Sequence, residues 1–240
     1  MEDLTWQQAV ETVEPHVVKI LTPRGSGTGF LCVYARNKEL CGIATAAHVI
    51  SHSHQWEEPI RIKHYVSGKT VLLRERDRAI YINTNLDTAV ILFVKGELPL
   101  PSETLKFIPE KKHLRIGNTI GWVGFPAVSP ENLCFFTGAA SCWLEKGRTY
   151  LVDGVAINGV SGGPAFRATS KGVKVIGSVS AYLPNRAVGT PLPGLSMISD
   201  VEHYQLVIKK FKDLDEARKK ETPPEEVAEN KNTEEGSSDK

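Results

Sequence analysis

Short runs of β-branched and aromatic residues, separated by glycines and other turn residues, recur along most of the chain. Such runs, with few helical stretches between them, predict an all-β protein built as an antiparallel barrel or sandwich. The clearest strand-like runs are residues 61–66, 89–94, 119–123 and 174–179. Two lobes of similar size would divide near residues 100–115, so the proline-containing segment before that point is expected to belong to the crossover.

Helical signals occur near the two ends of the patterned region. A capping box at Thr5 predicts a short helix, which Pro15 should end. A second capping box at Ser199 precedes a predicted amphipathic helix over residues 201–220. The apolar stripe of this helix consists of Tyr204, Val207, Ile208, Phe211 and Leu214. We expect the stripe to pack on the β lobes.

The last part of the chain has a different composition. From Glu221 onward it holds seven acidic residues, two lysines and almost no apolar side chains. Such a segment buries too little apolar surface to offset the entropy lost on ordering. The sequence therefore predicts a disordered acidic tail over residues 221–240.

Charge and cysteine content restrict the partners and the compartment. The formal net charge of the 240 residues is +1, so composition gives no electrostatic reason to expect a nucleic acid or an anionic membrane as partner. The acidic N-terminus has no secretion-signal pattern, and no segment approaches the roughly 20 apolar residues of a membrane helix. We therefore expect a cytoplasmic protein whose four cysteines are reduced. The alternative is two hairpin disulfides, Cys32–Cys41 and Cys134–Cys142.

Three short segments carry the residue types of nucleophilic catalysis. His48 ends the segment TAAH, Asp87 begins the apolar segment DTAV, and Ser161 lies in the glycine-rich segment VSGGP. A serine hydroxyl needs a neighbouring base to take its proton, a histidine is suited to accept and return it, and a carboxylate can orient that histidine. Glycines beside the serine allow backbone amides to face the oxyanion of acyl transfer. The candidate donors are the amides of Gly159 and Ser161.

The choice of the acid and the role of a second glycine-rich segment have alternative interpretations. Asp77 and Asp153 are rival acids, but Asp77 lies in a charged run and Asp153 lies close to Ser161 in sequence. The segment GSGTG at residues 25–29 could suggest a phosphate-binding loop. Such a loop should open a helix, whereas a strand-like run follows here, so we favour a tight β turn.

The histidines and cysteines suggest two further alternatives. His48, His52 and His54 could hint at a metal, but clustered cysteine or carboxylate partners at ligand spacing are missing from the sequence. We therefore expect no metal ion, with His52 and His54 in an exposed loop. A thiol protease is disfavoured because none of the four cysteines lies in a glycine-rich nucleophile turn.

The order His, Asp, Ser, with the motifs TAAH, LDTAV and VSGGP, resembles the trypsin-like serine protease superfamily. Within it, the chain is most similar to the non-zymogen branch that contains the HtrA/Deg proteases. The resemblance runs from about residue 10 to residue 200. It includes segment 10–20, similar to the first helix and strand of that branch, and the glycine-rich turn at 25–30.

This resemblance implies a fold and an activity. It implies two six-stranded antiparallel β-barrels, at about residues 17–100 and 112–198, within a protease domain spanning residues 1–200. It also implies a serine endopeptidase that acts on a protein or peptide substrate and needs no cofactor. In that enzyme Ser161 is the nucleophile, His48 the base and Asp87 the orienting acid. Whether the chain forms a homo-oligomer is left open.

The sequence departs from the family pattern at two points. The family pattern also implies the residues of a specificity pocket. Val160 stands where the superfamily usually has Asn or Asp, and no PDZ domain follows the protease domain. The family pattern places Val155 at the base of the primary pocket, with Ser180 and Tyr182 on one wall, which implies a preference for small or medium apolar side chains. The alternative function is a catalytically silent module that keeps the protease fold and binds peptides or acts as a scaffold.

Overall fold

The computed structural model describes residues 2–185 and 190–221, with the side chains of residues 181–193 and 218–221 left out. The predicted tail after Glu221 and residues 186–189 lie outside these residues. Within them the chain forms thirteen β-strands and three α-helices. None of these helices is long and apolar enough to cross a membrane.

The first lobe is an antiparallel sheet of seven strands, in the order β5-β4-β1-β2-β3-β7-β6. Its strands are β1 (Val17–Thr22), β2 (Gly25–Tyr34), β3 (Leu40–Thr45), β4 (Ile60–His64), β5 (Thr70–Leu73), β6 (Arg78–Asn83) and β7 (Thr88–Val94). The fold class is confirmed, but this lobe differs from the predicted closed six-stranded barrel. It has one strand more, and the order does not close on itself within the described part of the chain.

A local turn connects β5 to β6, which lie at opposite ends of the strand order and do not pair with each other. The chain between them forms a single 3-10 turn (Glu75–Asp77), in which the Asp77 carboxylate accepts a hydrogen bond from the Arg74 amide at 3.0 Å. The guanidinium of Arg78 then donates to the carbonyl of Leu73 at 3.1 Å, and to two further carbonyls. One side chain therefore satisfies three backbone carbonyls around this turn.

The second lobe is a closed six-stranded barrel in the order β10-β13-β12-β11-β8-β9. Its strands are β8 (Thr119–Gly124), β9 (Cys134–Leu144), β10 (Thr149–Asp153), β11 (Pro164–Thr169), β12 (Gly172–Asn185) and β13 (Thr190–Asp200). Closure removes the exposed edges that an open sheet presents. This lobe agrees with the predicted six-stranded barrel.

The three helices are α1 (Trp6–Val13), α2 (Ala47–Gln55) and α3 (Glu202–Glu221). The capping box predicted at Thr5 is present at the start of α1. Helix α2 was not predicted, and it corrects the expectation for His52 and His54, because both lie on this helix rather than in a loop. The His52 ring contacts the Glu58 carboxylate at 3.0 Å.

Helix α3 packs against both lobes where they meet. Tyr204 is fully buried, and its hydroxyl donates to the carbonyl of Thr45 in the first lobe at 2.8 Å. The same hydroxyl lies 2.6 Å from Oγ of Ser178 in the second lobe. The predicted stripe is buried or partly buried along most of its length, but Leu214 is 55% exposed and does not join the core.

The four cysteines are free thiols. Cys32 and Cys41 are buried, and desolvation by burial raises the pKa of both thiols, that of Cys41 to about 12. Cys134 and Cys142 both lie in β9, so the suggested hairpin disulfide between them is wrong. Eight residues of one strand separate them by about 26 Å, far beyond disulfide reach.

Candidate active site

His48 and Asp87 come together at one edge of the first lobe. His48 is the second residue of α2, and Asp87 directly precedes β7. Nδ1 of His48 lies 2.8 Å from Oδ2 of Asp87. Because an ionised carboxylate can only accept, the proton of this bond belongs to Nδ1, and Nε2 is left as the basic nitrogen. The His48 side chain is 51% exposed, so this nitrogen is accessible.

The Asp87 carboxylate also caps helix α2. The cap residue of this helix, Ala46, has no side chain that could accept a bond from the first turn. Oδ1 of Asp87 accepts instead from the backbone amide of His48 at 2.9 Å. A free helix amide is thereby satisfied, and the acid and the start of the helix are fixed relative to each other.

A third donor completes the surroundings of Asp87. The hydroxyl of Ser180 donates to Oδ2 of Asp87 at 2.5 Å. Burial alone would raise the pKa of Asp87, but the hydrogen bonds from His48 and Ser180 outweigh it, so the pKa lies below its ordinary value. Asp87 has a left-handed φ of +50°, a conformation uncommon outside glycine that Asp tolerates better than most residues. The acid is therefore ionised and tightly held.

Ser161 lies in the turn between β10 and β11, in the second lobe. Oγ of Ser161 lies 3.4 Å from the carbonyl oxygen of Ser180, which is long for a hydroxyl hydrogen bond. Among the described residues this hydroxyl makes no hydrogen bond to His48, although both side chains line one cavity. Such bonds are often long before substrate binds. The carbonyl of Ser161 accepts from the amide of Thr28 at 2.8 Å, which ties the serine to the first lobe.

Two amides beside Ser161 have no acceptor within the described part of the chain. They belong to Gly159 and Ser161 itself, whereas the amides of Val160, Gly162 and Gly163 all donate to backbone carbonyls. Gly162 has a φ of +83°, and a Cβ there would overlap the carbonyl oxygen of Thr28. The turn therefore depends on glycine. It leaves the amides of Gly159 and Ser161, the two candidate donors from the sequence, without an acceptor among the described residues.

Val160 is completely buried and belongs to a hydrophobic cluster that includes residues of both lobes. Backbone and side-chain contacts on either side of Val160 hold the turn. The hydroxyl of Thr28 donates to the carbonyl of Gly159 at 2.8 Å and accepts from the amide of Phe125 at 3.1 Å. The amide of Ala127 donates to the carbonyl of Asn158 at 2.6 Å. In a trans peptide the carbonyl and the amide point in opposite directions. Because the Asn158 carbonyl faces Ala127, the Gly159 amide of the same peptide unit points away from Ala127.

A cavity of about 290 Å³ opens between His48 and Ser161. Its remaining lining residues are Ala156, Ile157, Asn158, Val179 and Ser180. A larger cavity, of about 430 Å³, lies between β6 and α3; Asp77, a rival acid, lines it, but His48, Asp87 and Ser161 do not. The described walls of the smaller cavity combine apolar side chains with polar ones and carry no acid.

The specificity residues expected from the family pattern are only partly placed here. Val155 is 50% exposed and does not line the cavity, so the expectation that it forms the base is not met. Ala156 and Ile157, the next two residues, line it instead. Ser180 does line it, but its hydroxyl is directed to Asp87. The side chain of Tyr182 lies outside the described residues, and its backbone pairs with Ser196.

Sequence reasoning missed the roles of Thr28 and of the Ser180 hydroxyl. Thr28 was noted only as part of a glycine-rich turn, and Ser180 only as a pocket wall. The glycines flanking Thr28 were a signal, since close approach of two backbones requires small residues. A Cβ on Gly27 would lie 3.1 Å from the carbonyl oxygen of Ser161. The glycine-rich segment is therefore the surface against which the Ser161 turn packs.

The architecture, with its site between an open and a closed antiparallel β lobe, is that of the trypsin-like serine proteases. A family model described as a trypsin-like peptidase domain matches residues 27–177, more than half of the chain. The chain therefore belongs to the trypsin-like peptidase family. No curated protein matches its sequence.

Solved structures share the fold at low sequence identity. A serine endoprotease from Yersinia pestis is 19% identical with a TM-score of 0.62, over 88% of this chain and 67% of that one. The inactive form of Rv3671c from M. tuberculosis H37Rv, a serine-to-alanine mutant, is 18% identical with a TM-score of 0.58, over 85% and 89%. At such identities these likenesses establish the fold alone.

Proposed function

We propose that this protein is a serine endopeptidase that hydrolyses peptide bonds through an acyl-enzyme intermediate. The observation that carries the proposal is the pair of free amides at Gly159 and Ser161, beside a serine hydroxyl that shares a cavity with His48. A scaffold that only binds peptides has no need to keep these amides free. It also has no need of an ionised acid that fixes the histidine tautomer.

In the proposed reaction, Oγ of Ser161 attacks the substrate carbonyl carbon while Nε2 of His48 takes the hydroxyl proton. The carbonyl oxygen becomes an oxyanion and accepts hydrogen bonds from the amides of Gly159 and Ser161. Each such donor contributes on the order of 3 kcal/mol in the transition state. His48 then gives its proton to the leaving amine, which leaves an ester on Ser161. Water repeats the sequence, and the acid product and the free hydroxyl are released.

The first test is covalent labelling of the purified protein with a fluorophosphonate, read by intact mass. The expected result is a single adduct that peptide mapping places on Ser161. The probe needs both an activated hydroxyl and donors for the phosphoryl oxygen, so it reports the assembled site directly. A folded protein that forms no adduct would contradict the proposal and favour the silent peptide-binding module.

The cavity walls suggest which substrates are cleaved. We propose that the residue before the scissile bond is a small or medium apolar one, because Ala156, Ile157 and Val179 line the cavity. In a peptide library, Ala or Val at this position is expected to exceed Lys or Arg by about tenfold or more in kcat/KM, since a charged side chain would be desolvated without a partner. Preferred cleavage after Lys or Arg would overturn this assignment while leaving the reaction type intact.

A further inference from the structure

Three residues of the first lobe form a straight row across neighbouring strands. Lys19 of β1 pairs with Thr28 of β2 on one side and with Lys63 of β4 on the other. Residues directly opposite one another in antiparallel strands project to the same face. Here all three side chains reach the second lobe: Thr28 bonds the nucleophile turn, and the two lysines bond the loop that joins β8 to β9.

Lys19 is the unusual member of this row, because its side chain is only 7% exposed. Its ammonium donates to the carbonyl of Pro130 at 2.7 Å and to Oε1 of Glu131 at 2.8 Å. A buried ammonium is costly unless it is paired and hydrogen-bonded, so these contacts are tightly constrained. The proposed mechanism makes no direct use of this charge.

Glu131 connects the two lysines. Its second oxygen accepts from Nζ of Lys63 at 2.9 Å. Hydrogen bonds from Lys19 and then Lys63 lower the pKa of Glu131 to about 2. The carboxylate is therefore ionised throughout the neutral and mildly acidic range, and the arrangement of two cations on one anion persists there.

The β8–β9 loop transmits this contact to the nucleophile turn. Consecutive turns stiffen it, since the amide of Ser129 donates to the carbonyl of Pro126 at 2.8 Å and the amide of Asn132 to the carbonyl of Ser129 at 3.1 Å. Near the start of the loop, the amide of Ala127 donates to the carbonyl of Asn158 at 2.6 Å. That carbonyl belongs to the same peptide unit as the free amide of Gly159.

We propose that Lys19, Glu131 and Lys63 form an inter-lobe clamp that positions the Gly159 amide by holding the β8–β9 loop. This inference rests on the proposed function in so far as that amide binds the oxyanion. The three are positioning residues, because they act on the turn through the loop and not on the substrate. Through the clamp, the contact between the two lobes determines the position of the Gly159 amide in the site.

The test is Glu131→Gln in the full-length protein. This variant removes the charge and keeps the size of a side chain that is 65% exposed, so the fold should be retained. We expect kinact for fluorophosphonate labelling to fall about tenfold with KI unchanged, because displacing one oxyanion donor without removing it weakens its hydrogen bond in the chemical step and not in binding. Hydrogen exchange of the Ala127 amide should become faster, since its bond to Asn158 opens more often.

Two further variants sharpen the result. Glu97→Gln is the matched control, because Glu97 also pairs with a lysine of the first lobe, Lys69, at 3.7 Å, without contacting the loop. It should change neither readout. Lys19→Met removes the buried charge at similar length and should resemble or exceed Glu131→Gln. If that variant fails to fold, Glu131→Gln alone decides.

The two readouts separate this inference from the proposed function. A wild-type protein that takes no label contradicts the protease, but the Ala127 exchange rate in Glu131→Gln still tests the clamp. Exchange and labelling that both equal the wild-type values would overturn the clamp. Faster exchange with unchanged labelling would overturn the positioning role, because the loop would then move without affecting the site.

Discussion

Replacing Ser161 by alanine is expected to abolish fluorophosphonate labelling and to lower kcat for a cleaved peptide by about 10⁶-fold. In the proposed mechanism the hydroxyl is the atom that forms the acyl-enzyme ester. Without it, His48 and the two free amides can still orient water and the substrate, so a small residual rate remains. The measurement is peptide hydrolysis followed by mass spectrometry, beside labelling of the same samples.

The stability of this variant should stay close to that of the wild-type protein. The Ser161 hydroxyl makes one long contact, 3.4 Å to the carbonyl of Ser180, and the bond from Thr28 uses the backbone and survives the substitution. Ser102→Ala, at an exposed serine between the lobes, is the control and should label and hydrolyse normally. A folded Ser161→Ala protein that keeps hydrolysing at the wild-type rate would remove Ser161 from the mechanism.

The all-β class and the residues of the candidate site could be predicted because their signals are local. Each of His48, Asp87 and Ser161 lies in a short segment of characteristic composition: a run of small residues, the start of an apolar strand, and a glycine-rich turn. The resemblance to the trypsin-like pattern added the order of the three residues, His, Asp and Ser. The strands followed from runs of β-branched residues in the same way.

The contacts that hold the site together could not be predicted because they join residues far apart in sequence. Thr28 and Gly159 are 131 positions apart, and Lys19 and Glu131 are 112. Nothing near Lys19 shows that its ammonium is buried, since a lone lysine in a strand is typical of an exposed edge. Their pairing depends on how the two lobes meet.

Helix α2 and the specificity wall were missed for different physical reasons. The cap of α2 is the distant Asp87 carboxylate and not a local Ser, Thr, Asp or Asn, so the usual start signal is absent from the sequence. Val155 was assigned by counting six residues back from the nucleophile. Counting fixes a position along the chain, but the direction in which a loop side chain projects depends on the backbone turn, and here Val155 projects to solvent.

Replacing Asp87 by asparagine is expected to lower kcat by about 10⁴-fold with little change in KM. The carboxylate accepts from the His48 ring, the His48 amide and the Ser180 hydroxyl. An asparagine offers one oxygen and one NH2 group, so it cannot accept all three. If its oxygen keeps the backbone amide, the NH2 group faces Nδ1 of His48 and favours the proton on Nε2, the nitrogen that must accept from Ser161.

The pH dependence of stability separates this tautomer effect from general disruption. The pKa of Asp87 lies below its ordinary value of 3.8, so the ionised carboxylate stabilises the fold at every pH above that value. The stability contribution is lost only as the pH falls through the lower folded-state pKa. The Asp87 carboxylate should therefore contribute a constant difference between the unfolding free energies of wild type and Asp87→Asn from pH 5 to 7. Below about pH 4 this difference should decrease. A variant that is equally stable at pH 7 and retains full kcat would show that Asp87 does not orient His48.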